Sequence, residues 1–224
     1  MIFPVRTMIR LSSIFAAVCA LTFASSCTIV KHDPSSAAGE ALQKAASNEE
    51  FDAKAYVKTN WASRIEPELL KNAVDIRELV EALKKNQAAA EAKFGRRKDE
   101  TALYNFIVKG DEVIASVDTE SAAGFIELGL ADTTGQGKVR VQIGPVIKSS
   151  AVRDVLSFVN FGDFVNQLDY ANISREINFY VRDNIVAGLK KMDLVGKRAR
   201  FVGAFAEDST GEILITPIRI DIAK

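Results

Sequence analysis

Histidine is almost missing from this chain of 224 residues, with His32 standing alone, and cysteine is nearly as scarce, with only Cys19 and Cys27. A Ser-His-Asp triad needs an imidazole packed between two partners, and a zinc centre usually draws several Cys or His ligands. His32 sits in a polar stretch near the N-terminus, so neither chemistry has its residues; carboxylates, Lys, Tyr and Ser are the groups left for any catalysis. An excess of either charge is missing too: Lys+Arg and Asp+Glu both number 29. Bulk binding of nucleic acid needs a basic face that neutralises phosphates, so this balance argues against a nucleic-acid partner. A membrane-length apolar run is also lacking. Leu11–Phe23 is interrupted by Ser12, Ser13 and Thr22, and a spanning helix needs roughly 20 apolar residues.

What the N-terminus does have is order. Arg6 and Arg10 precede that apolar run, and no acidic residue comes before Asp33. A positive start, a short apolar core and small residues after it read as a secretory signal over residues 1–26, with translation starting at Met1 or Met8. Ala24-Ser25-Ser26-Cys27 then resembles a bacterial lipobox, with Ala24 where Leu is usual. In such a motif the cysteine is acylated and becomes the mature N-terminus. Cys27 is therefore expected to anchor the protein to the cell membrane or outer membrane, facing the periplasm, since several acyl chains hold where one alone is marginal. With Cys19 removed and Cys27 acylated, the mature chain is left without a disulfide, and its core alone must stabilise it.

Residues 27–48 read as a lipid-anchored tether and 49–95 as a helical region. Phe51, Val57, Trp61 and Ile65 form one apolar stripe ending near Pro67; Leu69, Ala73, Ile76, Val80 and Leu83 form a second, and Gly95 is a natural stop. The character changes at "RRKDE". From there to residue 224 the pattern turns to strands, with helices inserted at about 150–190. "LYNFIVKGDEVIASVD" predicts two strands joined by a turn at Gly110-Asp111. Gly124 and Gly129, flanking "FIEL", suggest bulges or close backbone approaches. "KVRVQIG" alternates, with Val139, Val141 and Ile143 on one face and Lys138, Arg140 and Gln142 on the other. Val152, Val155, Leu156 and Val159 share a helix face. Asn172 is placed to cap a following helix whose stripe is Ile173, Ile177, Val181, Ile185 and Leu189. "GKRARFVGAF" and "EILITPIRIDI" complete the strands, with Pro217 marking an edge or bulge. The fold class expected is α+β: a helical N-terminal part followed by an OB-like antiparallel β-barrel with inserted helices.

The stretches "VQIGPVIKSSAVRDVLSFVNFGDFVNQLDYA" and "LVGKRARFVGAFAEDSTGEILITPIRI", with "CTIVK", "FDAKAYVKTNW" and "FIVKGDEVIASVDTESAAGFIEL", resemble a family of predicted periplasmic lipoproteins of unknown function. The resemblance covers nearly the whole mature chain. It implies an OB-type barrel with a helical N-terminal part, in proteins often encoded beside ribose-type sugar ABC transporters. It carries over no catalytic or binding residues.

Phe158–Tyr170 is the richest candidate for a site, because sugar sites set flat aromatic faces against C–H surfaces and planar polar groups against hydroxyl pairs. Phe161, Phe164, Asn166 and Gln167, with Arg153 as a grip for an anion or carboxylate, are the candidate ligand-binding residues. The same aromatics could instead join helices to the barrel, with Asn, Gln and Asp satisfying helix ends. Asp163 with Asp169, or Asp111 with Glu112, could form a carboxylate pair for glycoside cleavage, which demands a defined separation. Lys197, Arg198 and Arg200 give one locally basic strand. The expectation is an accessory protein without catalysis, cofactor or metal, associated with sugar uptake through a transporter component or a small saccharide. The alternatives are a scaffold of the cell envelope and a carboxylate-dependent carbohydrate-active enzyme.

Overall fold

A computed structural model describes residues 51–130, 138–208 and 211–223. The signal segment, Cys27, His32, the tether, the loop of Asp132–Gly137 and the middle of "EDSTG" lie outside the described residues. Residues 48–224 make one compact unit.

The first helix, α1 (Ala53–Asn60), starts where the Asp52 carboxylate accepts the Ala55 N–H at 2.9 Å, an N-cap. It passes through a π-turn at Trp61–Ile65, where the Glu66 N–H reaches back to the Trp61 carbonyl, into α2 (Glu66–Asn72); this turn comes just ahead of Pro67, which has no N–H to offer the helix. Val57, Trp61, Ile65 and Leu69 are buried along it, and Trp61 stacks on Tyr180 at 3.9 Å. Trp61 is thus a core residue. The second apolar run expected from sequence is broken. Ala73 is extended, Val74–Asp75 forms a two-residue strand β1 parallel to the barrel, and the Asp75 carboxylate then caps α3 (Ile76–Lys85). The four- and three-residue spacing survives the break because β1 only offsets two helices that bury the same side. Helix α4 (Gln87–Phe94) closes at Gly95, whose N–H reaches the Glu91 carbonyl.

The barrel begins with β2, a single strand over Asn105–Asp118 rather than a hairpin. Its first half pairs antiparallel with β5 (Arg198–Ala206), and its second half with β3 (Phe125–Leu128). Gly110 is not a turn residue: a Cβ there would meet the Phe201 ring at 2.8 Å and Ile76 Cγ2 at 2.9 Å. The glycine instead lets α3 and Phe201 approach the strand backbone. Strand β3 pairs with β4 (Val139–Gln142), β4 runs parallel to β6 (Ile213–Ile222), and β6 pairs with β5. Among the described residues, five strands thereby close on themselves in the order β2-β3-β4-β6-β5. Pro217 lies opposite Gly203 at a register shift, so the proline sits at a bulge in a strand paired on both sides. Phe106 and Phe205 are register partners and stack at 5.2 Å in the core.

Two polar residues depart from the expected pattern. Gln142 is buried, not outward: its amide donates to Thr216 Oγ1 at 2.8 Å and its carbonyl accepts the Lys148 N–H at 2.9 Å. It ties β4 to β6 and to the chain leaving the barrel. Glu112 is also buried and receives a forked grip from Arg77 of α3, with Nε at 2.6 Å. Between β4 and β5 come the short α5 (Ala151–Val155) and the longer α6 (Gln167–Tyr180). Asn166, not Asn172, caps α6, its side chain accepting the Asp169 N–H at 2.9 Å. The helix therefore starts five residues before Asn172. Ile173 and Ile177 are its buried stripe, continued by Val181 in a π-turn over Val181–Ile185, whereas Leu189, expected on the same helix, lies past the left-handed Gly188 in a separate short turn.

Candidate functional site

Where β2 begins and β5 ends, the barrel rim meets α5 and the segment leading to α6. A cleft of about 350 Å³ opens there, walled by Lys98, Asn105, Arg153, Asp154, Phe161 and Tyr170 among others. Its floor is fixed by strand pairing, because Asn105 is the register partner of Ala206 and bridges to Arg96 through both backbone groups.

The Arg153 guanidinium lies 3.8 Å from the Tyr170 ring centroid, donates to the Asp154 carboxylate at 2.8 Å and to the Tyr170 carbonyl at 3.3 Å. The Tyr170 hydroxyl donates to the same carboxylate at 3.2 Å. Burial is the main cause raising the Tyr170 hydroxyl above its ordinary pKa, so it stays a proton donor. Phe161 meets Tyr170 edge-on at 5.6 Å yet is 54% exposed. Lys98 reaches across with its ammonium on the carbonyls of Leu156 and Val159, both at 2.6 Å, and burial lowers its pKa. Asp99 accepts from the Thr101 hydroxyl and from the Thr101 and Ala102 N–H groups, and these bonds hold its carboxyl below the usual range. One group lining the cleft has no partner among the described residues: Asn105 is 5% exposed, its amide N–H donates to the Leu103 carbonyl at 3.1 Å, and its Oδ1 is buried without a hydrogen bond. Buried acceptors are almost always satisfied, so an orphan in a cleft wall calls for an explanation.

A second, more open cleft of about 720 Å³ shares Lys98 and Asp154 with the first. It is bordered by Arg96, Arg97, Lys71 and Ser157. Arg96 is already committed to Glu68 at 2.9 Å and to the Val155 carbonyl at 2.8 Å, while Glu68 also takes the Ser157 N–H. This arrangement staples α2 to the chain after α5.

Of the residues singled out from sequence, the structure brings Arg153 and Phe161 into one cleft wall. Phe164 packs instead against Phe51 at 5.3 Å and Tyr170 at 5.8 Å, in an aromatic cluster behind that wall. Asn166 is the α6 cap, and Gln167 is the exposed first residue of that helix. Asp163 accepts the Asn160 N–H at 2.9 Å, and Asp169 lies in the first turn of α6. Asp111 and Glu112 are consecutive in β2 and so project to opposite faces. Asp111 is held by Arg198 at 2.9 Å and Arg200 at 3.3 Å, which lower its pKa, whereas Glu112 belongs to Arg77. Sequence reasoning missed Asn105, Lys98 and Asp99. The charge run "RRKDE" at the change from helix to strand was the available signal for the latter two.

The outer face of β3 and β4 is filled differently. Arg140 lies 4.2 Å over Phe125, pairs with Glu212, and its Nε stands 3.7 Å from Glu127, which Lys138 also reaches at 2.9 Å. The Arg140 Nε makes no hydrogen bond, but its charge is met from two sides.

A family described as predicted periplasmic lipoprotein (DUF2291) matches residues 17–221, and the chain belongs to that family. Its location is accordingly lipid-anchored and periplasmic. The chain is similar in fold to an OB-fold protein from Thermotoga maritima, with a TM-score of 0.63 and 18% identity, over 78% of this chain and 100% of that one. No curated protein matches. The closed strand order and this likeness agree on an OB-type barrel.

Proposed function

We propose that this lipoprotein is a periplasmic accessory module that takes a small polyhydroxylated molecule, a saccharide, in the cleft of Asn105, Arg153 and Phe161, in support of sugar uptake. The observation that carries the reading is the gathering of Arg153, Asp154, Tyr170 and the exposed Phe161 ring around one cleft whose wall includes Asn105, a residue with a buried, unpartnered Oδ1. A rotation of the Asn105 side chain would bring that oxygen to a ligand hydroxyl, while the exposed Phe161 ring offers a flat apolar face and Asp99 and Asp154 offer acceptors. Clefts of this size with a few convergent polar groups suit small ligands. The association with uptake draws on the resemblance to lipoproteins encoded beside sugar transporters. Catalysis is not part of the proposal: three bonds to its Oδ1 hold the Asp99 carboxyl ionised, which suits accepting a hydrogen bond rather than donating a proton.

The test is a thermal-shift series of the mature protein against pentoses, hexoses and their phosphates. Ligand at about a hundred times its Kd adds about 2.7 kcal/mol, which for a domain of this size raises Tm by roughly 5–10 °C. A selective shift that Phe161→Ala abolishes is the expected outcome. A flat response over the whole panel sinks the saccharide reading and leaves a transporter component as the partner to seek by crosslinking.

A further inference from the structure

Large apolar side chains left in water concentrate on one short segment before and at the start of α6: Phe161 is 54% exposed, Val165 51% and Leu168 73%. Nothing in the barrel requires this. Phe164, between them, is turned inward onto Phe51 and Tyr56. That inward contact fixes a second fact. Phe51 lies just ahead of α1, so the chain that leads from the lipid site passes directly behind the exposed segment as it reaches α1. Thr28–Glu50 separates Cys27 from Phe51, and even fully extended, that stretch reaches only about 80 Å. An anchor on a leash of that length holds the fold near its membrane at an effective concentration on the order of a millimolar. A modest apolar contact is then enough to seat the protein.

We propose that the Phe161–Leu168 segment rests on the bilayer that holds the acylated Cys27, with Val165 and Leu168 at the headgroup–acyl boundary and Phe161 at headgroup level. Aromatic and aliphatic side chains of this kind favour that interface. The charges nearby do not drive it, because they are mixed: Asp163 lies on the segment and Asp169 one residue past it, with Lys98 near Asp163 and Arg64 over Phe158. Seating is therefore expected to be insensitive to salt and to the fraction of anionic lipid. The mouth of the cleft lined by Phe161 would then face the membrane rather than open periplasm. This inference stands whether or not the cleft takes a saccharide.

The experiment uses the lipidated protein in phosphatidylcholine vesicles. Acylation consumes Cys27, so a single thiol introduced by Val165→Cys or Leu168→Cys can carry an environment-sensitive fluorophore, with Asp221→Cys as an exposed reference on β6. The expected result is a blue-shifted emission at 165 and 168, quenched several-fold more by spin-labelled lipid than at 221. Leu168→Asp, at a side chain exposed enough to leave folding intact, should reduce the quenching at 165. Equal quenching at all three positions overturns the proposal. So does a blue shift at 165 and 168 without lipid quenching, which would mean that a protein surface, a partner or a second copy, covers the segment.

Discussion

Two places against this barrel lay an arginine on an aromatic ring and pair it with acid groups, two carboxylates at one and a single one at the other, and they finish the arrangement differently. On the face of β3 and β4, Arg140 covers Phe125 while Glu127, Glu212 and Lys138 complete the charges. OB barrels commonly bind their ligands on this face, and here the chain's own side chains occupy it. At the rim where β2 begins, Arg153 covers Tyr170 and is paired with Asp154, but Asn105 Oδ1 beside them has no donor and the Phe161 ring faces water. The same ingredients make a closed patch in one place and an incomplete one in the other. A barrel of this kind can shift its point of recognition when flanking helices build a new wall at its rim.

The comparison can be broken most forcefully on the closed side. Arg140→Ala removes the cation shared by Glu127 and Glu212 and should cost about 2 kcal/mol, a fall in Tm of roughly 4–8 °C, with ligand-induced shifts left intact. If ligand response disappears instead, the β3–β4 face is the working one. Asn105→Leu probes the open side. It removes an orphan acceptor along with one ordinary hydrogen bond, so stability should move by less than about 1 kcal/mol, upward if at all, while the ligand-induced shift is lost. A large destabilisation would show that Asn105 is a structural residue with a satisfied environment.

How much of this was legible beforehand depends on what kind of information each feature needs. The stripe Val57, Trp61 and Ile65 declared itself because helical period is a local property; its continuation past Pro67 to Leu69, which the sequence assigned to a second run, did not. So did the alternation of Val139 and Val141. Gly110 was misread because a glycine between β-rich runs signals either a turn or a close backbone approach, and only the positions of Phe201 and Ile76 decide between them. Asn166 and Asn172 are equivalent as caps in sequence; the turn at Phe161–Asp163 selects the first. Arg153 and Phe161 stood out by composition. Asn105 did not, since one polar residue at the head of an apolar strand acquires its meaning from the helix packed over it.

The smallest effect tests the loop that borders the cleft. Bonds from Thr101 and Ala102 hold the Asp99 pKa below its unfolded value near 4. A depressed carboxyl contributes stability that is complete above the unfolded pKa and is lost as pH falls through the folded one. The Tm difference between wild type and Asp99→Asn should therefore be small and constant from pH 7 to 5, then shrink towards zero below pH 4. A difference that grows on acidification would contradict the bonding described.

The strand β6 is the last element of the barrel, yet it supplies the partners of both β4 and β5. Until that segment has crossed the membrane, β4 has a free edge and the ring is open. Closure must then join residues far apart along the chain, which is slow compared with the formation of α1–α4 from local contacts. Export thus delivers an open sheet with exposed edges, a state prone to wrong pairing. During that interval, a chain fixed to the bilayer by its N-terminus would be held at its destination while it finds its final strand.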